Sequence, residues 1–282
     1  MTDNFQWRKI KKHDLPYVKK MLLENENDYV GACARFITRS GLRDPVWVLC
    51  GKNNTVSAMI LNSGSTVFPV LCGNKNIPNL NFFKGFLKSK KIYSIQGLKN
   101  EVIVLEDVIK QNRIIPADVI DYELMSLDKP LQNSGIKKGP ANLEMYVPKM
   151  TDIDVMAPLQ AGYEKEEVIP KGSVFSPAAS RINTERIITS GQVLTAKING
   201  RMVGKININA VSFSRYQIGG VYVHPDFRGQ GIAGRMTAEF ISTLAKEGKG
   251  LTLFVKKNNI AARRIYINIG FTVRGDYRIT YY

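Results

Sequence analysis

Along residues 141–282 the spacing of apolar positions changes repeatedly, and each change marks an element. Residues 143–147 alternate apolar and polar, the pattern of a strand with one buried face. Residues 152–167 then read as a helix capped by Thr151 or Asp152, and 180–190 as a second, with Arg181, Glu185 and Arg186 on its polar side. Strands at 192–197 and 202–209 flank Asn199-Gly200, a strong hairpin turn signal. A strand at 217–223 is stopped by Pro225, which lacks the N–H that a ladder needs. From Ile232 the period becomes helical, with Ile232, Ala233, Met236, Phe240 and Leu244 on one stripe, as far as about Glu247 before Gly248. The continuous apolar run 251–255 reads as a buried strand. Asn259 is a good N-cap for a helix carrying Ala262, Ile265, Tyr266 and Ile269 on one face and ending at Gly270. Residues 271–274 and 277–282, around Gly275-Asp276, read as a terminal hairpin.

The first 140 residues carry a similar mixture. Helices are expected at 13–29, 32–38, 80–89 and 102–109, and strands at 46–50, 56–61, 66–71, 92–95 and 122–126. A Gly/Ser/Pro/Lys stretch at 133–141 has linker chemistry. The 282 residues therefore divide into an N-terminal α/β domain, 1–138, and a C-terminal one, 141–282.

The segment from Val221 to Gly234 is the one with evident chemistry. A strand ends in Val221-Tyr222-Val223, and Arg228-Gly229-Gln230-Gly231 then leads into a helix through Ile232, Ala233 and Gly234. Glycines let the main chain turn tightly, and the unpaired N–H groups of a helix's first turn favour a phosphate. No Gly-Lys-Ser/Thr follows, so this is not a nucleotide P-loop. Gly229-x-Gly231-x-x-Gly234 matches the dinucleotide fingerprint as a string, but 251–257 lacks the ribose-binding acid that fingerprint needs. Arg228-x-x-Gly231-x-Ala233, preceded by Val-x-Pro, instead resembles the acetyl-coenzyme A loop of the GNAT superfamily of N-acetyltransferases. A second segment resembles that family's other hallmark: Asn259, Ala262, Tyr266 and Gly270-Phe271, with the first three spaced to share one helix face.

This resemblance implies an α/β fold with a mixed α+β sheet, the GNAT acyltransferase fold, in 141–282. The N-terminal domain has neither motif; by architectural resemblance to two-domain GNAT proteins it is expected to be a degenerate GNAT-like half that does not bind coenzyme in the usual way. The resemblance further implies acetyl-coenzyme A as acyl donor, bonded by the backbone of Val221 and Val223 beside Tyr222. Arg228 through Gly234 would sit at the pyrophosphate, Asn259 beside the pantetheine, and Ala262 where the coenzyme passes. The Tyr266 hydroxyl would stand near the thioester sulfur as the acid that protonates the departing thiolate. Many relatives place a Glu on the strand entering the loop, but Tyr216-Gln217-Ile218-Gly219-Gly220 has no carboxylate. Glu167, Glu166 and Glu185 are the candidate bases, beside a water chain to a backbone carbonyl; His224 is read as structural. The acceptor is a primary amine of a small molecule or peptide, which the residues do not specify. An aminoacyl transferase of the tandem type and a non-catalytic acyl-coenzyme A-binding module are the alternatives; intact Arg228 and Tyr266 weigh against the second.

Composition adds limits. The net charge of +16 is spread evenly, 21 basic against 13 acidic residues through position 140 and 19 against 11 after it, so there is no basic tail. No aromatic–basic RNA-recognition signature is present, and a nucleic-acid partner is not expected. No run approaches the roughly 18 apolar residues of a membrane span, and the first residues have no apolar signal core, so a cytoplasmic location is expected. Cys33, Cys50 and Cys72 are too scattered for a disulfide framework, and with only two histidines no metal site is expected.

Overall fold

The computed structural model describes residues 5–38, 45–51, 55–74, 77–78, 80–89, 91–129 and 139–282. The chain forms two compact units, one of residues up to Leu124 together with Arg274–Tyr282, the other Met125–Val273. The expected linker at 133–141 lies mostly outside the described residues.

In the first unit β1 (Gln6–Lys9) leads through a 3-10 turn, Lys12–Asp14, into α1 (Leu15–Glu24) and α2 (Glu26–Ile37). There follow β2 (Val46–Cys50), β3 (Val56–Ser63), β4 (Thr66–Val70), α3 (Asn81–Ser89), β5 (Ser94–Leu98), α4 (Lys99–Gln111) and β6 (Asp118–Leu127). The second unit repeats the order. β7 (Leu143–Tyr146) and a 3-10 turn, Met150–Asp152, precede α5 (Ile153–Tyr163), a π-helical turn, Glu164–Val168, and α6 (Pro177–Thr189). β8 (Val193–Ile198), β9 (Arg201–Val211), β10 (Arg215–Val223), α7 (Ile232–Ala245), β11 (Gly250–Lys256), α8 (Ile260–Ile269) and β12 (Thr272–Tyr281) complete it. The repetition reaches side-chain detail. Asp14 accepts from the Lys11 N–H at 2.7 Å, and Asp152 accepts from the Lys149 N–H at 2.7 Å, so both first helices start from the same Lys-x-x-Asp turn.

In each unit four strands run antiparallel and a fifth joins in parallel; β1 opens the first set against β2, and β7 the second against β8. β2, β3 and β4 pair antiparallel in the first unit, as β8, β9 and β10 do in the second. β5 joins β4 in parallel, and β11 joins β10. The core of the second unit packs Ile206, Met236, Phe240, Leu253, Tyr266 and Phe271. That of the first is aromatic-rich, around Trp47, Phe83 and Phe86.

Two expectations are corrected. Residues 13–29 are not one helix: the chain breaks at Asn25 (φ −119°), whose side-chain amide donates to the Met21 carbonyl at 2.8 Å. This local bond competes with helix propagation. α2 then kinks at Tyr29 (φ −129°), turning its hydroxyl toward Glu101 at 2.5 Å. Nor do 271–274 and 277–282 form a hairpin. β12 is one strand, and its residues Tyr277–Tyr281 pair antiparallel with Leu98–Ser94 of β5. That ladder satisfies the backbone of both strands, where a hairpin would leave the β5 edge open. The final strand of the second repeat thereby completes the sheet of the first unit, and the last residues of β6, past Leu124, lie beside β11 in the second.

Cys33 and Cys50 are buried and Cys72 half-buried, all three as free thiols. Burial pushes the Cys72 thiol up to about 12. Among the described residues no group of three or more His, Cys, Asp or Glu is arranged to hold a metal ion, and no helix is long and apolar enough to cross a membrane.

Candidate functional site

The parallel pairing of β10 with β11 stops early. Arg215, Tyr216 and Gln217 pair with Gly250, Leu251 and Thr252, and beyond them the strands part. On its other side β10 stays with β9, through a register shift between Gly219 and Tyr222. From Ile218 to Val223 one edge of a buried strand is therefore open, offering backbone groups to an extended ligand. At the end of that edge a 3-10 turn, Pro225–Phe227, is held by His224, whose Nδ1 accepts from the Asp226 N–H at 3.4 Å.

Arg228, Gly229, Gln230 and Gly231 then turn the chain into α7. Gly231 is its N-cap with φ 82°, a left-handed conformation that a side chain would strain, and no side-chain hydrogen bond caps the helix end. The N–H groups of Ile232, Ala233 and Gly234 belong to the first turn, which has no intrahelical acceptors. A pyrophosphate fits this cradle, on these observations of the backbone.

Arg228 does not point at open space. Its Nε donates to the Val223 carbonyl at 2.9 Å, and its terminal nitrogen meets both Glu166 oxygens at 3.0 and 2.8 Å. The Tyr222 hydroxyl also donates to Glu166, at 3.2 Å. Glu166 sits on the π-helical turn after α5, and Lys256 of β11 anchors that turn through the Glu166 carbonyl and the Glu167 carboxylate, each at 3.0 Å. Glu166 and Glu167 are thus both engaged by cations. Glu185 faces outward beside Arg181 at 3.9 Å on α6.

α8 is built as its sequence foretells. The Asn259 side chain accepts from the Ala262 N–H at 3.1 Å, and Gly270 closes the helix at φ 113°. Asn259 therefore caps the helix here. Ala262 packs beside the core, and Tyr266 is buried with its ring edge-on to Phe271 at 5.9 Å between centroids. Burial, with the charges of Tyr163 and Glu167 nearby, pushes the Tyr266 hydroxyl well above the ordinary tyrosine range, so it stays protonated. Tyr163 and Glu167 are thus brought to the tyrosine that the α8 motif singled out.

Beneath the open edge lies a polar cluster absent from the expected set. Lys205, Asn207 and Asn209 alternate along β9, so they share one face of the strand. Lys205 is fully buried; its Nζ donates to Asn207 Oδ1 and to the Gly220 carbonyl, each at 2.9 Å, and stands 4.7 Å from the Tyr163 ring centre. Tyr163 accepts from the Gly220 N–H and from Asn209; burial first, then Glu167, pushes its hydroxyl up to about 12. Gly220 has φ 61°, and a Cβ there would lie 1.9 Å from Asn207 Oδ1 and 2.6 Å from Lys205 Nζ. Only glycine permits both the bulge and the cluster under it. The sequence signal was available: Lys205-Ile206-Asn207-Ile208-Asn209 puts a polar residue at every second position of an interior strand.

The first unit has the same parting of strands and a different filling. β4 and β5 pair only through Thr66–Ser94 and Val67–Ile95. At the end of β4, Glu101 of α4 accepts from the Leu71 N–H at 3.0 Å, the Gly73 N–H at 3.4 Å and the Tyr29 hydroxyl, which itself accepts from the Cys72 N–H at 3.1 Å. The amides that follow this strand are used by the unit's own side chains.

A family model described as "Acetyltransferase (GNAT) family" matches residues 163–271. Solved structures share the fold over nearly the whole chain. A GCN5-related N-acetyltransferase from Sphaerobacter thermophilus is similar at 16% identity, with a TM-score of 0.66, covering 99% of this chain and 96% of its own. A GNAT-family acetyltransferase from Colwellia psychrerythraea has 12% identity and a TM-score of 0.57, with 98% of each chain covered. A tandem GNAT protein from the clavulanic acid biosynthesis pathway has 9% identity and a TM-score of 0.62, again with 98% of each covered. No curated protein matches the chain by sequence. With the open β10 edge, the glycine-turned helix end and the buried Tyr266 in view, residues 163–271 match the GNAT family model, within a chain that has the GNAT fold almost from end to end.

Proposed function

We propose that the second unit is an acetyl-coenzyme A-dependent N-acetyltransferase acting on a primary amine of a small molecule or peptide. The observation that carries this reading is the open edge of β10 from Ile218 to Val223, ending at an α7 N-terminus that no side chain caps. Such an edge accepts an extended chain of amide groups as a further strand, and such a helix end accepts phosphate.

Bound there, acetyl-coenzyme A supplies an activated thioester carbonyl for direct attack by the amine. The chain's own residues do the rest. The backbone of Val221 and Val223 orients the donor, Arg228 exchanges Glu166 for a phosphate, and a backbone N–H near Val221 stabilises charge on the carbonyl oxygen. Tyr266, kept protonated by burial, holds a proton for the leaving sulfur. Glu167, close enough to raise both Tyr163 and Tyr266, is paired with Lys256 at 3.0 Å.

Titration calorimetry of the purified chain with acetyl-coenzyme A tests the reading. Micromolar or tighter binding is expected, at one site per chain, because Glu101 and Tyr29 occupy the corresponding amides of the first unit. Absence of binding sinks the acetyltransferase reading and revives aminoacyl transfer, which needs no intact coenzyme loop.

A further inference from the structure

We propose that Lys205 is the proton acceptor for the incoming amine, in place of the carboxylate missing from β10; this rests on the acetyltransferase reading above. A buried lysine is an expensive way to fill a strand. Its amine must shed water, and an apolar side chain of similar volume would cost less. Ile206 and Ile208 on the same strand show that β9 buries apolar side chains readily.

A neutral amine has two N–H donors and one lone pair. Both donors are taken, by Asn207 Oδ1 and the Gly220 carbonyl, which leaves the lone pair to receive a proton. The groups facing it from each packed element are Tyr163 of α5, Glu164 of the π-helical turn and Tyr222, its cross-strand partner on β10. Glu164 accepts from Gln160 at 2.8 Å and from Asn183 at 3.0 Å, and its charge favours the protonated lysine once formed. Desolvation outweighs that carboxylate and lowers the lysine to about 7, so the acceptor is poised near neutrality.

Position completes the argument. Nζ lies 2.6 Å from where a Gly220 Cβ would stand, directly beneath the bulge within the open edge. An amine held over that bulge arrives as R–NH3+. One of its N–H bonds breaks as an N–H bond forms on Lys205, giving R–NH2 and a lysine ammonium. Attack of R–NH2 on the thioester carbonyl then forms the amide C–N bond and breaks the C–S bond. Tyr266 gives its proton to the departing sulfur and is reprotonated by the proton lost from the attacking nitrogen, while Lys205 returns the first proton to solvent.

The test uses the full chain with [ε-13C]lysine and an amine found by screening with acetyl-coenzyme A. One lysine resonance, absent from Lys205→Met, is expected to titrate near neutral pH. The acidic limb of the kcat/KM profile should follow it. Lys205→Met should lose that limb and about 10²-fold or more in kcat/KM, with coenzyme affinity by calorimetry unchanged. Asn207→Asp, which sets a carboxylate beside Nζ, should move both the resonance and the limb to higher pH; a merely structural lysine would shift only the resonance. The proposal is overturned if the Lys205 resonance titrates above about pH 9, near the ordinary lysine value, or if the limb survives in Lys205→Met. Failure of acetyl-coenzyme A to bind the wild-type chain is a separate outcome and sinks the transferase reading itself.

Discussion

Tyr266 carries two kinds of interaction that a single substitution separates. Its ring packs edge-on to Phe271 within the core of the second unit, while its hydroxyl is held protonated close to Tyr163 and Glu167. Tyr266→Phe keeps the ring and removes only the proton donor. Turnover should fall by about 10²-fold, the usual scale of one general acid, while the affinity for acetyl-coenzyme A stays at the wild-type value in calorimetry. An equal loss of both would make Tyr266 a packing residue. At this scale the sequence was legible wherever function depends on near neighbours. Asn259, Tyr266 and Gly270 sit at cap and face positions of one helix, and Gly231 at the turn that starts another. Lys205 was legible only as a polar position on an interior strand, because its chemistry depends on the Gly220 carbonyl of the next strand and on Tyr163 of α5.

The π-helical turn, Glu164–Val168, is the element whose behaviour departs most from its local pattern. The periodicity of residues 152–167 reads as one helix; in the structure the last turn widens, and its acids diverge. Glu164 turns inward to Gln160 and Asn183, Glu166 to Arg228, and Glu167 to Lys256. Such bulges change which side chains face the core, and they gather at functional sites. The turn thereby sets a carboxylate on the arginine that the coenzyme's pyrophosphate is proposed to use. Glu166→Gln removes this internal competitor and should tighten acetyl-coenzyme A binding. Both partners are partly exposed, so the gain is modest, on the order of threefold to fivefold. It should shrink as salt is added. Calorimetry at two ionic strengths checks this, and weaker binding by Glu166→Gln would show that the acid assists the coenzyme instead.

At the scale of the whole chain the governing feature is the exchange of final strands. β12 ends the second repeat yet pairs with β5 of the first unit. Arg278 on β12 binds Asp121 of β6 at 2.8 Å and Glu106 of α4 at 3.1 Å, and with Lys99 it holds the Asp121 carboxyl down to about 2. Ending the chain after Asp276 removes Tyr277, Ile279 and Tyr281 from the buried set and leaves the β5 edge open. Thermal denaturation should show a clear loss of stability with exposed-edge aggregation; an unchanged melting curve would mean that β12 contributes little to the fold. The repeat itself was only partly legible. The order of elements pointed to a second GNAT-like half, and the matched turns at Asp14 and Asp152 carry a Lys-x-x-Asp signal that is visible in both halves.

By itself the sequence determined most elements of the second unit, the glycine turn that opens α7 and the shared face of Asn259, Ala262 and Tyr266. Turns, caps and periodicity are contracts between residues a few positions apart, and such short-range chemistry survives being read one window at a time. Tertiary structure decided that β12 joins β5 instead of folding back, that Glu166 meets Arg228, and that Lys205 lies under the Gly220 bulge. Each of these pairs residues that are distant in sequence. Their choice depends on which backbone groups remain unpaired, and which charges remain buried, after the strands have taken their places.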